Sequence, residues 1–464
     1  MRLVRSGLES ILVDMGTYSR SQEILERNRR YIPGGMFSLN READPRLVFV
    51  KAEGALLWDA EGQSYIDYHG AFAPFVLGHN HPAVNAAVER VLHDGSSLFG
   101  VNTTTLEGEL AELICESVPF ADLAAVLNTG SEATCEAIRA ARAFTVRDHI
   151  IVMQGGYNGW HNDVAYNVMT PLTLVGPRVT PGEYPAIPLS AGIPEAHRAL
   201  VHVVNFNDLE SVEYVCRRYP IAAVITEPVL QNIGVVKPCG GYLEGLRRLA
   251  DEHGFVLIFD EVKTGFRHGL GGYAGLCGVR PDLAVYGKAI ANGYPIAAVA
   301  GRRELMELFS HPDARRRVLL AGTYNGHPVS VAAAIATLKT LRADGGEVYR
   351  KLERLGARLE AGFAEIQEAC GAALTLVRQG SAFCLYFMDH APADWHDIAA
   401  QHDFEADLRM RRLLIERGVF VFPVATKQCS LSAAHTEEMV DETLRALGHA
   451  LAEAVPTPAG VEGD

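Results

Sequence analysis

The stretch from Val256 to Gly269, VLIFDEVKTGFRHG, drives an apolar run straight into two adjacent acids, Asp260 and Glu261. A short apolar run rich in branched residues reads as a strand buried on both faces. A carboxylate at the end of such a strand is costly to bury without a cation beside it. The first chemical expectation is therefore a positively charged partner for Asp260. A second stretch, PDLAVYGKAIANGYPIAAV, brings another apolar run to Lys288. A lysine held in apolar surroundings can have its pKa lowered and act as an amine nucleophile. A lysine whose stem follows apolar surface to a solvated head has the same signature. In NTGSEATCEAIR, residues Thr129, Gly130 and Ser131 stand where a strand turns into a helix. Small residues there let the backbone approach an anion, and the helix N-terminus supplies free N–H groups. An ordinary helix start capped by Ser131 fits the same letters. In QGGYNGWHND, Tyr157 lies in a glycine-rich loop after a strand. Its ring can stack on a flat ligand or plug the end of a sheet.

These residues need a scaffold that gathers them. From about Leu106 to Ala300 short apolar runs alternate with stretches of helical periodicity: AAVLNTG, HIIVMQGG, VHVVNF, IAAVITEP, FVLIFDEV and PDLAVYGK read as strands, while SEATCEAIRAARAF, DLESVEYVCRRY and GGYLEGLRRLADEHG read as helices. The alternation predicts an α/β fold with a mostly parallel sheet between helices. Ligands bind beyond the carboxyl ends of strands in such sheets; Asp260, Glu227 and the turn at Gly130 all fall at such ends. After about Pro328 long helices mix with the short strands TLVRQG, SAFCLYFM, VFVFPVA and CSLSAA, which predicts a smaller α+β domain. A hairpin, LVFVKAEGALLWDAEGQSYID, is expected to pack with that domain. The organisation expected is an N-terminal arm and hairpin over 1–70, a large domain over 71–327 and a small domain over 328–464.

Composition excludes other classes. The 464 residues are 48% hydrophobic and 21% charged, ordinary for a folded chain able to bury a large core. The net charge is −14, and the longest basic run is Arg315-Arg316-Arg317, so nucleic-acid binding is not expected. Eight cysteines are scattered without a CxxC pair, which argues for reduced thiols in the cytoplasm rather than a disulfide framework or a metal site. The segment MRLVRSGLESILVDMGTYSR lacks the long apolar core of a leader, and no run reaches membrane-spanning length. The tail from Val455, VPTPAGVEGD, reads as frayed. The dinucleotide fingerprint G-x-G-x-x-G is missing at the Gly130 turn, which disfavours a nicotinamide dehydrogenase.

Taken together, the four stretches describe one chemistry. A phosphate-bearing pyridine aldehyde needs an anion cradle (Gly130, Ser131), a lysine to bond its aldehyde (Lys288), a stacking ring (Tyr157) and an acid that keeps the ring nitrogen protonated (Asp260). The cation facing Asp260 would then be the pyridinium of pyridoxal 5'-phosphate.

The chain resembles the class III pyridoxal-phosphate aminotransferases of fold type I, and within them the glutamate-1-semialdehyde 2,1-aminomutase group. The resemblance runs from about Tyr31 to Leu447, through RYIPGGMFSLNR, GQSYIDYHGAFAPFVLGHNHPAV, NTGSEATCEAIRAAR, GGYNGWHND, ITEPV, LIFDEVKTGFR, PDLAVYGKAIANGYPIAAVAGRRELM and AGTYNGHPVSVAAA. It implies a seven-stranded type of central sheet. Lys288 is similar to the family's Schiff-base lysine and proton shuttle, and Asp260 to the partner of the ring nitrogen. Val262 would pack on the ring face opposite Tyr157, and Thr129, Gly130 and Ser131 would form the phosphate cup. Glu227 resembles the strand-end acid near the cofactor. Thr323 resembles a threonine that reaches the phosphate from a second subunit, which implies a homodimer with shared sites. Arg41 falls where the aminomutases hold a substrate carboxylate. The implied reaction is amino-group transfer between small molecules, on a carboxylate-bearing amine of the α- or β-amino acid type. A 2,1-aminomutase, an amino-acid racemase and a silent binding protein are the alternatives on the same scaffold.

The departures bear on substrate. The family's Tyr-His-Gly is Tyr157-Asn158-Gly159, and Lys263 follows Asp-Glu-Val where glutamine or methionine is usual. The stretch from 170 to 195 does not match the aminomutase lid. From Val419 to His435 there is no arginine, only Lys427, which argues against glutamate as the best amino donor.

Overall fold

The computed structural model describes residues 18–454. The segment before Tyr18 and the tail from Val455, on which expectations of a missing leader and of fraying were placed, lie outside the described residues. Strands β1 (Phe49–Glu53), β2 (Leu56–Asp59) and β3 (Ser64–Asp67) form an antiparallel meander. The turn between β1 and β2 contains Gly54 at φ 57°, a left-handed position that glycine adopts at little cost.

The central sheet contains β4 (Leu123–Leu127), β5 (His149–Gln154), β6 (Val201–Asn205), β7 (Ile221–Thr226), β8 (Val256–Glu261), β9 (Leu283–Tyr286) and β10 (Ala297–Gly301), in the spatial order β4-β10-β9-β8-β7-β5-β6. The pairs β5–β6, β5–β7, β7–β8 and β8–β9 are parallel, and β10 runs antiparallel to both of its neighbours. Every residue of β7, β8 and β9 is buried, as a sheet covered on both faces requires.

The pleat of β8 assigns its side chains to the two faces. Val256 and Ile258 pack in one core with Ala133, Ala137, Ile138 and Ala141 of the helix Gly130–Thr145. Leu257 and Phe259 pack in the other, with Leu243, Leu246 and Leu249 of the helix Tyr242–His253 and with the helix Pro328–Arg342. Each fully buried side chain of this size stabilises the fold by about 1.5–3 kcal/mol relative to exposure. The alternation continues past the apolar run. Asp260 shares the face of the helix Gly130–Thr145, while Glu261 turns to the other side and accepts the backbone N–H groups of Tyr273 (2.8 Å) and Ala274 (2.8 Å) at the helix Gly272–Cys277. Two adjacent acids thus have different tasks.

A second, three-stranded antiparallel sheet holds β11 (Thr375–Gln379), β12 (Ala382–Tyr386) and β14 (Cys429–Ser430). Strand β13 (Val419–Phe420) instead lies parallel to β3 and completes the N-terminal meander. The expected strand VFVFPVA shrinks to those two residues, since Pro423 has no N–H to give a ladder and the Phe422 carbonyl accepts from Arg411 (3.0 Å). The helices Glu347–Cys370, Phe404–Glu416 and Glu437–Ala454 accompany these strands. No helix among the described residues is long and apolar enough to cross a membrane.

Candidate active site

The carboxyl edge of the central sheet opens into a cavity of about 320 Å³. One wall is the start of the helix Gly130–Thr145. Thr129 caps it: its hydroxyl accepts the N–H of Glu132 (3.2 Å), and the Glu132 carboxylate accepts the N–H groups of Thr129 (3.0 Å) and Asn128 (2.9 Å). This corrects the expectation that Ser131 is the cap. A reciprocal capping box needs Glu or Gln three residues after the cap, and Glu132 fixes that register on Thr129. Ser131 lies within the first turn, where its hydroxyl accepts the N–H of Trp160 (3.3 Å). The first-turn N–H groups of Gly130 and Ser131 have no intrahelical partner, which suits them to an anion. A Cβ on Gly130 would stand 3.0 Å from both methyls of Val262, so glycine is what lets Val262 close the wall against this turn.

The opposite wall carries Asp260. It is 2% exposed, and its two oxygens accept from Asn158 Nδ2 (2.8 Å) and the Val262 N–H (3.0 Å). Among the described residues no cationic nitrogen lies within 4.0 Å of it. Burial, and next the charge of Glu227, push its carboxyl up to about 7, against the pull of Asn158, Val262 and Lys288. A buried carboxylate that borders a cavity without its own cation fits a ligand that brings one.

Lys288 lines the same cavity. It follows β9, whose last residue Tyr286 pairs with Glu261 in β8 and with Ala298 in β10. Lys288 sits at φ 47°, a left-handed backbone that costs a non-glycine residue on the order of 1–3 kcal/mol and that clusters at functional sites. Burial lowers its ammonium pKa, while Asp260 and Glu227 pull the other way. A lowered pKa enlarges the fraction of free amine available as nucleophile.

Of the other expected residues, Tyr157 and Val262 line the cavity. Glu227 lies just behind: its carboxylate accepts the N–H groups of Tyr157 (3.0 Å) and Gln231 (3.0 Å) and the side chain of Asn232 (2.9 Å). Arg41 and Thr323 are not among the lining residues. Arg41 borders a second cavity of about 630 Å³ with Phe37, His69, Phe72 and Phe422. Thr323 is exposed, two residues before Asn325, whose side-chain oxygen accepts from Asn128 (2.9 Å) beside the Thr129 turn.

With this geometry in place, the relatives decide the family. The model of the family described as Aminotransferase class-III matches residues 38–451. The chain belongs to that family. It is 38% identical over 437 residues to a glutamate-1-semialdehyde 2,1-aminomutase of Methanothrix thermoacetophila, covering 94% of this chain and 97% of that one. Among solved structures it is similar to an omega-transaminase from Sphaerobacter thermophilus, with TM-score 0.87 and 30% identity over 94% of this chain and 97% of the other. A glutamate-1-semialdehyde aminomutase of Pseudomonas aeruginosa PAO1 in complex with PMP matches with TM-score 0.83 and 26% identity over 94% and 95% of the two chains. The class III fold type I architecture expected from the sequence is the one found: a large, mostly parallel sheet with smaller sheets beside it.

Asn158 was not assigned a role from sequence, and it is the side chain that orients Asp260. Its position directly after Tyr157 in the glycine-rich loop was the available signal. Gln231 and Asn232, which wrap Glu227, carry no motif at all.

Proposed function

We propose that this chain is a pyridoxal 5'-phosphate enzyme that moves an amino group to or from a carboxylate-bearing amine of the α- or β-amino acid type, with Lys288 as the covalent anchor. The observation that carries this reading is the buried Asp260 carboxylate, aimed at a cavity that also holds Lys288 and a helix N-terminus, with no cationic nitrogen within 4.0 Å among the described residues. When bound, the cofactor supplies an aldehyde that condenses with amines and a ring that draws electrons from the carbon bearing the amine.

The chain's own residues then have defined tasks. The Gly130 and Ser131 N–H groups and the Thr129 turn receive the phosphate. Asp260, oriented by Asn158, holds the proton on the ring nitrogen. Val262 and Tyr157 confine the two faces of the ring. Lys288 would hold the aldehyde through Nζ, with loss of water, and its freed amine is placed to take a proton from the substrate carbon and to return it across the shared nitrogen. Glu227 keeps the Tyr157 loop in place and adds a negative charge beside Lys288. Arg41 pairs its guanidinium with the substrate carboxylate, for which its planar fork is suited. Arg41→Ala should raise KM for carboxylated amines by about 10-fold or more, the worth of a charged hydrogen bond, and leave simple amines nearly untouched. Equal losses for both would make Arg41 structural.

The active unit in this proposal is a cytoplasmic homodimer, its chain organised as an N-terminal arm and hairpin that packs with the C-terminal small domain, and a large cofactor-binding domain between them in sequence. Thr323 is exposed, as are Leu319 and Tyr324 near it in the chain, which suits a residue completing a second subunit's phosphate cup. Complementation tests this. Homodimers of Lys288→Ala and of Thr323→Asp should both be inactive, and co-expressed hybrids should regain about half the activity, because one of their two sites is intact. No recovery in purified hybrids, or a fully active monomer in sedimentation, contradicts it.

A second reading, a 2,1-aminomutase, is favoured by the 38% identity to the Methanothrix thermoacetophila protein over 437 residues. Stoichiometry separates the two. A transaminase given one amino donor and no acceptor stops after one equivalent, whereas a mutase turns a single substrate over repeatedly. Burst followed by arrest supports transfer between two molecules; sustained isomerisation supports the mutase.

A further inference from the structure

Two lysines that bond the loop wrapping Glu227 remain unused. Lys263 is 6% exposed and donates from Nζ to the Gln231 carbonyl (2.6 Å). Lys427 is half-buried and donates from Nζ to the carbonyl of the next residue, Asn232 (2.9 Å). The pair comes from distant parts of the chain. Lys263 follows β8 just past Asp260 and Val262, and Lys427 precedes β14 in the three-stranded sheet. Two consecutive carbonyls, on the loop that leaves β7, therefore draw both ammonium groups to one place over the carboxyl ends of β7 and β8.

Such a place asks for an anion. An ammonium group has three N–H donors, and each of these makes one hydrogen bond to the chain. Among the described residues neither nitrogen has a carboxylate oxygen within 4.0 Å. Glu227 is the acid whose charge acts on both, but its oxygens are already taken by Tyr157, Gln231 and Asn232. Lys263 also feels the charge of Lys288, and both carbonyls belong to the loop whose Gln231 N–H and Asn232 side chain bind Glu227, the acid that also holds the Tyr157 N–H. Buried lysines are rare without partners, because an uncompensated ammonium is costly to remove from water. Burial lowers both, Lys427 to about 8, in keeping with two cations that share one engaged acid.

We propose that Lys263 and Lys427 form a two-point clamp for an oxyanion at the end of the substrate away from the reacting carbon. This rests on the amino-transfer reading and names its substrate class: amines, or their oxo partners, with a second anionic group. It revises the inference from the missing arginine. Lys427 alone is a weak substitute for a guanidinium, but two ammonium groups side by side can take both oxygens of one carboxylate, or two oxygens of a phosphate.

The test uses holoenzyme and length-matched amino donors ending in a carboxylate, a phosphate or an uncharged amide. Wild type should favour an anionic end over the amide by roughly 10-fold or more in kcat/KM, the scale of charge-assisted hydrogen bonds. The carboxylate and phosphate donors identify which oxyanion is read. Lys263→Gln and Lys427→Gln should each collapse that preference, chiefly through KM, and Lys427→Arg should keep most of it. A preference that survives both glutamine variants overturns the clamp. Proportional loss of anionic-ended and amide donors with an unaltered cofactor absorption band also overturns it, and leaves amino transfer standing. If wild type turns over no donor, amino transfer fails and the clamp is judged by glutarate binding to holoenzyme in calorimetry. Binding weakened by either glutamine variant supports it; binding unchanged by both, or no binding to wild type, overturns it.

Discussion

Lys288→Ala should yield a folded protein that binds the cofactor without a covalent link and has lost turnover by about 10²–10⁴-fold or more, the scale of a positioned acid–base group. The expectation combines three features of one residue. Lys288 lines the cavity, its amine is made less basic by burial, and its backbone is held at φ 47° by the ends of β9 and β8. Alanine keeps the left-handed strain and removes the desolvated amine with the methylenes that carry it, two opposing effects, so the variant apoenzyme should melt close to wild type. Thermal melts and steady-state rates measured on one preparation check both halves. Wild-type rates would remove Lys288 from the chemistry, and a collapsed melting transition would make it structural.

Asp260→Asn should slow the half-reaction with amino donor by about 10²–10³-fold, corresponding to about 3–4 kcal/mol of electrostatic stabilisation. An amide cannot balance the ring nitrogen's charge, so the substrate carbon loses its electron sink. Stopped-flow rates within a few-fold of wild type would contradict this. The same variant makes a pH prediction. Burial holds the Asp260 carboxyl at about 7 in the folded chain, against about 3.9 in an unfolded one. Between roughly pH 4 and 7 the folded state therefore keeps a proton that the unfolded state has released. This group's contribution to stability falls as pH rises through that window and is flat above it. Without cofactor, Asp260→Asn should melt higher than wild type at pH 8, and the gap should narrow toward pH 4. An equal gap at both pH values would mean that Asp260 already has a cation.

What could be read from sequence was what depends on local pattern. The β8 run and the acid at its end were legible because every residue of the strand is buried, and the pleat alone decides that Asp260 and Glu261 part ways. The strand-to-helix turn at Thr129–Ser131 is legible in outline, and the spacing from Thr129 to Glu132, rather than Ser131, marks its cap. The strand at Val419 is shorter than its apolar run because Pro423 cannot donate to a ladder. Contacts between distant segments left no local trace. Asn158 and Asp260 are 102 positions apart, and Lys263 and Lys427 bond two neighbouring carbonyls on a third segment. Those are the contacts on which the cavity's charge balance turns.

The central claim is that Lys288 is bonded to the cofactor in the resting enzyme, opposite Asp260. Borohydride reduction of purified holoenzyme followed by peptide mapping tests it most directly. The account predicts loss of the visible absorption band and a reduced pyridoxyl label on Lys288 at about one per chain. A label on Lys263, Lys427 or any other lysine, or a band untouched by borohydride, would contradict it.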